Sequence, residues 1–405
     1  MSHADAAPRR DRPAIGFLVL ACALTTFPSV TGDIYLPALP QMTADFAGTT
    51  VQGQHTLASY FLGLGTGQLF YGPLADRLGR RPVMLFGALL YLAATMGCLI
   101  AGSIDQLVAL RFVQALGACA GLVISATIVR DQYGDEELPR IFSMLLTARS
   151  LGPLLAPIAG GVLVTFFGWR GVFGALCLFG LSLLLAILLA MRETRPHAVA
   201  ERARSESPLR AYWGVLRDRR IMGYVLTNGC NFGSMFAWIT VAPFLVIEIY
   251  GVSEIWFGWI FAALALGISL AAQINRRLVK RYPADRVMLW GAFLMVGAAI
   301  VLLVDVLAGI GGLVGILLPL FFVIASLGLV STNAMAGALA VDPTRSGSAS
   351  AIVGTSQFAF AALVAGAMGY VSSHPAFGLA VVIAACAIGA ALYPLSLARQ
   401  AKAAA

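Results

Sequence analysis

Long apolar blocks, each of roughly twenty residues, run almost end to end through this 405-residue chain. A helix rising ~1.5 Å per residue needs about that length to cross a ~30 Å hydrocarbon core. The blocks place membrane spans at 14–36, 54–72, 83–102, 106–128, 140–166 and 171–191, then at 221–247, 255–275, 287–305, 312–334, 347–371 and 376–397. They are about twice the length of a barrel strand and lack its in–out alternation. The expected class is therefore an all-α membrane protein with 12 transmembrane helices. Charged residues make up only 11% of the chain, against about 25% in an ordinary soluble domain.

Basic residues orient the spans. Of the 27 lysines and arginines, all but Arg111, Arg149 and Arg170 fall on one side of a twelve-span arrangement. They cluster at Arg9, Arg10 and Arg12, at Arg77, Arg80 and Arg81, along 192–220, and from Arg276 to Arg286. By the positive-inside rule both termini are expected in the cytoplasm. The net charge of +8 then reports topology and contact with anionic lipid headgroups rather than nucleic acid. Six cysteines (Cys22, Cys98, Cys119, Cys177, Cys230, Cys386) all fall in spans without ligand spacing, so neither disulfides nor a metal site is expected. The first apolar block lacks a small-residue cleavage site and is expected to remain as the first helix.

The polar stretch 192–220 separates two sets of six spans. The expected organisation is a tail at 1–13, a six-helix bundle at 14–191, a cytoplasmic linker at 192–220, a second bundle at 221–397 and a tail at 398–405. A short surface helix is expected in the linker around Leu209 to Leu216. Duplication is echoed weakly: LADRLGRR at 74–81 shares the spacing of Arg77, Leu78 and Arg81 with Arg277, Leu278 and Arg281 in INRRLVKR at 274–281.

The most informative charged residue is Asp33, placed inside the first span. A carboxylate in lipid is costly unless it is paired, faces water or takes up a proton, and such residues mark ion and substrate paths. In the fourth span, RFVQALGACAG at 111–121 puts Arg111 and Gln114 at a depth similar to that of Asp33. Matched depth makes an Asp33–Arg111 pair possible, either as a permanent salt bridge or as part of proton coupling. Between the second and third spans, GPLADRLGRRP at 72–82 combines Asp76 with Arg77, Arg80 and Arg81. Gly72 and Gly79 there permit a close approach and a tight turn. A carboxylate at a helix end among arginines can latch neighbouring helices in one state and release them in another.

At these residues the chain resembles the major facilitator superfamily, whose signature loop lies between the second and third spans. The resemblance implies that Gly72, Asp76, Arg77, Gly79, Arg80 and Arg81 form a conformational gate motif. The Arg111–Gln114 run resembles the fourth-helix motif of proton-coupled members, with Ala115 where glycine is usual, and implies proton coupling at Asp33 and Arg111. In the fifth span GPLLAPIAGG resembles the antiporter motif through Gly152, Pro153, Ala156, Pro157, Gly160 and Gly161, with Ala156 replacing a glycine. DIYLPALP at 33–40 and the run at 54–83 resemble the Bcr/CflA branch of bicyclomycin and phenicol exporters.

Tyr224, Asn228, Asn231, Met235 and Trp238 recur at steps of three and four, one face of the seventh span. That face reads either as a substrate wall or as a dry helix contact. Substrate-binding candidates are Tyr60, Asn228, Asn231, Met235, Phe236 and Gln357. Arg149, deep in the fifth span, matches no pattern and is left open. No histidine lies mid-membrane, and no H-E-x-x-H or G-x-S-x-G motif is present, so no enzyme is expected. The expected function is a monomeric drug:proton antiporter of the bacterial inner membrane. It would export small amphipathic drugs using the proton gradient and no cofactor, with only drug, protons and lipid as partners. Export or import of a natural metabolite (amino acid, peptide or sugar) on the same fold is the alternative.

Overall fold

The computed structural model describes residues 15–134, 137–196, 201, 208–342, 345–370 and 374–403. Arg9, Arg10, Arg12, His3 and His197 lie outside them. Helices account for nearly all of the described residues, and no strand occurs among them.

We number the spans α1 (Gly16–Asp45), α2 (Thr50–Leu78), α3 (Arg80–Leu99) and α4 (Ile104–Gln132). The next helix, Leu138–Ala190, breaks at Gly168, whose φ of 67° is left-handed. Its arms are α5 (138–167) and α6 (169–190). The second half holds α7 (Arg219–Pro243), α8 (Glu254–Leu278), α9 (Ala284–Ala308), α10 (Gly312–Val341), α11 (Ser346–Tyr370) and α12 (Pro375–Ala403). Among the described residues ten helices are apolar and long enough to span, with Arg140–Ala190 as one of them. Splitting that helix at Gly168 and adding α2 makes 12. α2 packs between α4 and α11.

Polar caps start several spans where backbone N–H groups would otherwise be unpaired. Thr49 and Gln52 form a capping box on α2, with Thr49 N donating to Gln52 Oε1 at 2.9 Å. Ser103, Asp218 and Ser253 cap α4, α7 and α8. Gln41 Oε1 accepts from Trp169 N at 2.9 Å, which fastens the start of α6 to the end of α1.

α1 departs from the expected uniform span 14–36. Its regular helix ends at Asp33, passes through a 3-10 turn at Leu36–Ala38 and resumes over Leu39–Asp45. Pro37 and Pro40 supply no backbone N–H, so the chain bends there. The bend leaves Asp33 at the end of the regular helix.

The two sets of six helices pack as separate bundles that meet chiefly through α2 against α11 and α5 against α8. Away from the arginine-rich loops, α5 and α8 touch backbone to backbone: a Cβ on Gly258 would lie 2.7 Å from the Pro157 carbonyl oxygen. Toward the basic end the same two helices part around a cavity. The linker contains the surface helix Pro208–Leu216, and Tyr212 donates its hydroxyl to the Leu69 carbonyl of α2 at 3.0 Å.

Candidate transport site and gate

The parted helices enclose a cavity of about 390 Å³ at mid-membrane depth. Residues from both halves line it, and its wall is aromatic. Phe61 of α2 packs on Phe236 of α7 with ring centroids 4.3 Å apart, and Phe236 lies 6.1 Å from Phe358 of α11. Phe232, Phe261 and Trp238 extend this surface, and Gln357, Ser269 and Ser331 add polar points. Aromatic walls with few polar groups suit small amphipathic molecules. Asp33 and Arg149 are the only charged side chains lining the cavity among the described residues.

Asp33 is half-buried on the cavity wall. Arg111 is not beside it. It is 0% exposed and sits behind the wall, its guanidinium 4.3 Å from the Tyr35 ring centroid and 4.2 Å from that of Tyr60. Nη1 donates to Gln114 Oε1 at 2.6 Å, and Gln114 passes the chain to Thr95 Oγ1 at 2.8 Å. Nε and Nη2 have no hydrogen-bond partner. Among the described residues no ion pair joins Asp33 to Arg111, so the permanent salt bridge that matched depth made possible is not formed in this state. Tyr60 lines the cavity beside Asp33 while its ring faces Arg111, and its hydroxyl is held by the Pro28 carbonyl at 2.7 Å. Depth along a helix is readable from sequence; the direction of a side chain around it is not.

Of the substrate candidates, Tyr60, Met235, Phe236 and Gln357 line the cavity, whereas Asn228 and Asn231 do not. Asn231 donates to Ser326 Oγ at 2.8 Å and accepts from Ser331 Oγ at 2.9 Å, fastening α7 to α10. Asn228 is 0% exposed, with both amide atoms unpaired. Tyr224 donates to Asp285 Oδ1 at 2.9 Å. The stripe therefore divides: its first three members serve the interior of the second bundle, while Met235 and Trp238 reach the cavity. The phenylalanines at 61, 232, 261 and 358 escaped notice because aromatic residues on apolar helices carry no distinguishing pattern.

The 72–82 loop, expected to be a gate motif, lies at the basic end. Arg80 is 1% exposed, donates Nε to Asp131 Oδ2 at 3.2 Å and pairs through Nη1 with Asp76. Glu193, just after α6, accepts from the backbone N–H groups of Arg80 at 2.9 Å and Arg81 at 3.2 Å. Arg81 Nη2 reaches the Leu188 carbonyl at 3.1 Å, and Arg195 Nη1 reaches that of Asp76 at 3.3 Å. Gly79 has φ 111°, and a Cβ there would lie 2.6 Å from Glu193 Oε2. Gly72, in contrast, has open space around it. Burial pushes the Glu193 carboxyl up, but the backbone N–H groups of Arg195, Arg80, Arg81 and Thr194 outweigh it and hold it below the ordinary glutamate range. A depressed carboxyl contributes stability above its unfolded value and loses it as pH falls through the folded one. The same backbone N–H groups thus favour the charged form of Glu193. The partners Asp131, Glu193 and Arg195 were not expected; their signal was charge at the ends of α4 and α6 on the gate's own side.

At the opposite end the α5 glycines bring three helices into close contact. A Cβ on Gly160 would collide with the Ile34 carbonyl of α1, and one on Gly161 with the Glu254 carbonyl of α8. Gly152 faces Ser29, where an added Cβ would stand at 3.6 Å. Ala156 is buried, and Pro153 lines the cavity. Adjacent glycines thus let α5 touch a neighbour on each side.

Comparison with known proteins agrees with this architecture. Residues 17–365 match the family described as Major Facilitator Superfamily. The chain is 28% identical over 381 residues to a bicyclomycin resistance protein homolog of Haemophilus influenzae, covering 92% of this chain and 93% of that protein. It is 33% identical over 295 residues to a chloramphenicol resistance protein of Pseudomonas aeruginosa, covering 72% and 68% of the two chains. The crystal structure of a D-xylose-proton symporter superposes with a TM-score of 0.74 at 15% identity, over 94% of this chain and 96% of that one. The protein is a multi-pass protein of the bacterial inner membrane, and with a family match spanning most of its length it belongs to the major facilitator superfamily.

Proposed function

We propose that the protein exports small amphipathic drugs in exchange for protons. The observation that carries this reading is Asp33, the only carboxylate on the wall of a mid-membrane cavity among the described residues and one with no ion pair there. Such a group can hold a proton in one state and surrender it in another without breaking a salt bridge first. The relatives named for bicyclomycin and chloramphenicol resistance supply the substrate class.

With the basic end in the cytoplasm, the cavity faces inward and the glycine seal closes the outside. Drug enters between α5 and α8 and lies against Phe61, Phe236 and Phe358. Asp33 releases its proton to the cytoplasmic side as the cavity fills. The halves then rock, the Gly160–Gly161 seal parts, and the gate around Arg80 rearranges as the inner side closes. Drug leaves outward, and Asp33 is protonated from outside. Arg111 stands behind the wall, its guanidinium between the rings of Tyr35 and Tyr60 and bonded to Gln114, where it can couple movement of those side chains to the state of Asp33. A single chain completes this cycle, and the proton gradient is its only energy source.

Inverted membrane vesicles test the proposal. On acidification of their interior, vesicles containing the protein are expected to accumulate radiolabelled chloramphenicol or bicyclomycin, and to lose it when the gradient is collapsed. Accumulation no greater than in vesicles lacking the protein, with both drugs, would contradict it.

A further inference from the structure

Exchange of a drug for a proton at Asp33 leaves Arg149 without a task. This arginine lies eleven residues beyond the start of its helix at Leu138, about 16 Å along α5. That is too deep for its side chain to carry the charge back to the headgroups. It is exposed, it lines the cavity, and it has neither an ion pair nor a hydrogen-bond partner among the described residues. Its guanidinium is therefore open to whatever fills the cavity.

The carboxylate on the same wall does not serve it. α1 and α5 run parallel, since Gly152 packs on Ser29 and Gly160 on Ile34. Arg149 lies three residues to the basic side of the first contact, and Asp33 lies next to the second. The two charges are thus separated by about 10–15 Å along the helix axes. The same cavity carries the aromatic wall of Phe61, Phe232, Phe236 and Phe358.

A solute that fills this cavity displaces the water around Arg149. Unless the solute returns those hydrogen bonds, a stripped guanidinium remains, and leaving such a group unpaired costs far more than a missed apolar contact. Sites of this kind reject ligands that lack the matching group. A guanidinium presents a planar fork that fits two oxygens of a carboxylate or sulfonate.

We infer that Arg149 is a recognition point for an anionic or strongly hydrogen-bond-accepting group of the exported solute. It holds that group at the basic-end mouth of the cavity while the apolar body lies along the phenylalanines. The inference rests on reading the cavity as the transport site and adds a preference: solutes with an oxygen-rich, acceptor-bearing end bind better than their wholly apolar counterparts.

Two probes that differ only in such a group make the test: 1-anilinonaphthalene-8-sulfonate and neutral N-phenyl-1-naphthylamine. Their equilibrium binding is measured on the full chain in lipid nanodiscs, with empty discs subtracted. Arg149→Gln is expected to weaken binding of the sulfonate by about ten-fold or more while moving the neutral probe less than about two-fold. Arg149→Lys, which keeps the charge but loses the fork, should retain part of the sulfonate affinity. Sulfonate binding unchanged in Arg149→Gln would overturn the inference. So would equal weakening of both probes, which would show that Arg149 serves the shape of the site. Because binding is measured without a gradient, the result is separate from the vesicle experiment. A protein that passes here and accumulates no drug retains its anion site and loses the exporter reading.

Discussion

Asp33→Asn is expected to abolish gradient-driven drug export while leaving the protein folded, inserted and able to bind drug. The amide keeps the size and nearly the shape of the carboxylate, so the packing around Tyr60 and the α1 bend is preserved. What is lost is a group that can carry a proton. One proton moving down 100 mV and one pH unit supplies about 3.7 kcal/mol. At about 1.4 kcal/mol per factor of ten, that supports a several-hundred-fold gradient of a neutral drug. Without a titrating group the cycle becomes facilitated diffusion, and that ratio falls to about one. Vesicle accumulation measures the fall, and exchange of labelled for unlabelled drug across an unenergised membrane should persist. Full accumulation by Asp33→Asn would place the proton site elsewhere.

The second large effect is expected at Gly161. Its neighbour across the interface is the Glu254 carbonyl, which is backbone and cannot rotate away as a side chain would. Valine there must push α5 and α8 apart. Overpacking of this kind typically costs about 1–3 kcal/mol, and here it falls only on the state in which the outer end is closed. A penalty confined to one state shifts the equilibrium by about 5- to 150-fold toward the other. Gly161→Val should therefore hold the cavity open to the outside and cut export about ten-fold or more. Ser29→Cys provides the readout, because Ser29 lines the cavity whereas none of the six native cysteines does. In right-side-out vesicles an impermeant thiol reagent should label Ser29→Cys from outside when Gly161→Val is also present, and label it far less when Gly161 is intact. Equal labelling in both backgrounds would mean that the glycine contact is not the seal.

The architecture was largely legible in the sequence because spans need only length and hydropathy, and because loop arginines carry a topological signal. The α5–α6 break fell where two apolar blocks met, at Gly168. α2 was legible too, at 54–72, and the structure extends it to Thr50–Leu78 and packs it between α4 and α11. The site was legible in part. Asp33 stood out as a charge in lipid, and the gate loop as charges around a tight turn. What failed was orientation about the helix axis. Arg111 shares the depth of Asp33 but points behind Tyr60, and Asn231 shares a face with Met235 yet is taken up by Ser326 and Ser331. Those outcomes depend on which neighbouring helix packs against each face, information that a linear pattern does not contain. Arg149 was visible as a mid-span charge, but its significance appears only once the cavity wall is known.

Proton–drug exchange at Asp33 requires that the two ligands oppose each other, and binding free energies make that opposition reciprocal. The most direct measurement adds chloramphenicol to purified protein in a weakly buffered solution containing a pH indicator. Wild-type protein is expected to release protons as the drug binds, with the release vanishing both in Asp33→Asn and at alkaline pH, where Asp33 holds no proton to lose. Undiminished proton release from Asp33→Asn, or drug binding to the wild type without release at any pH, would contradict exchange at this carboxylate.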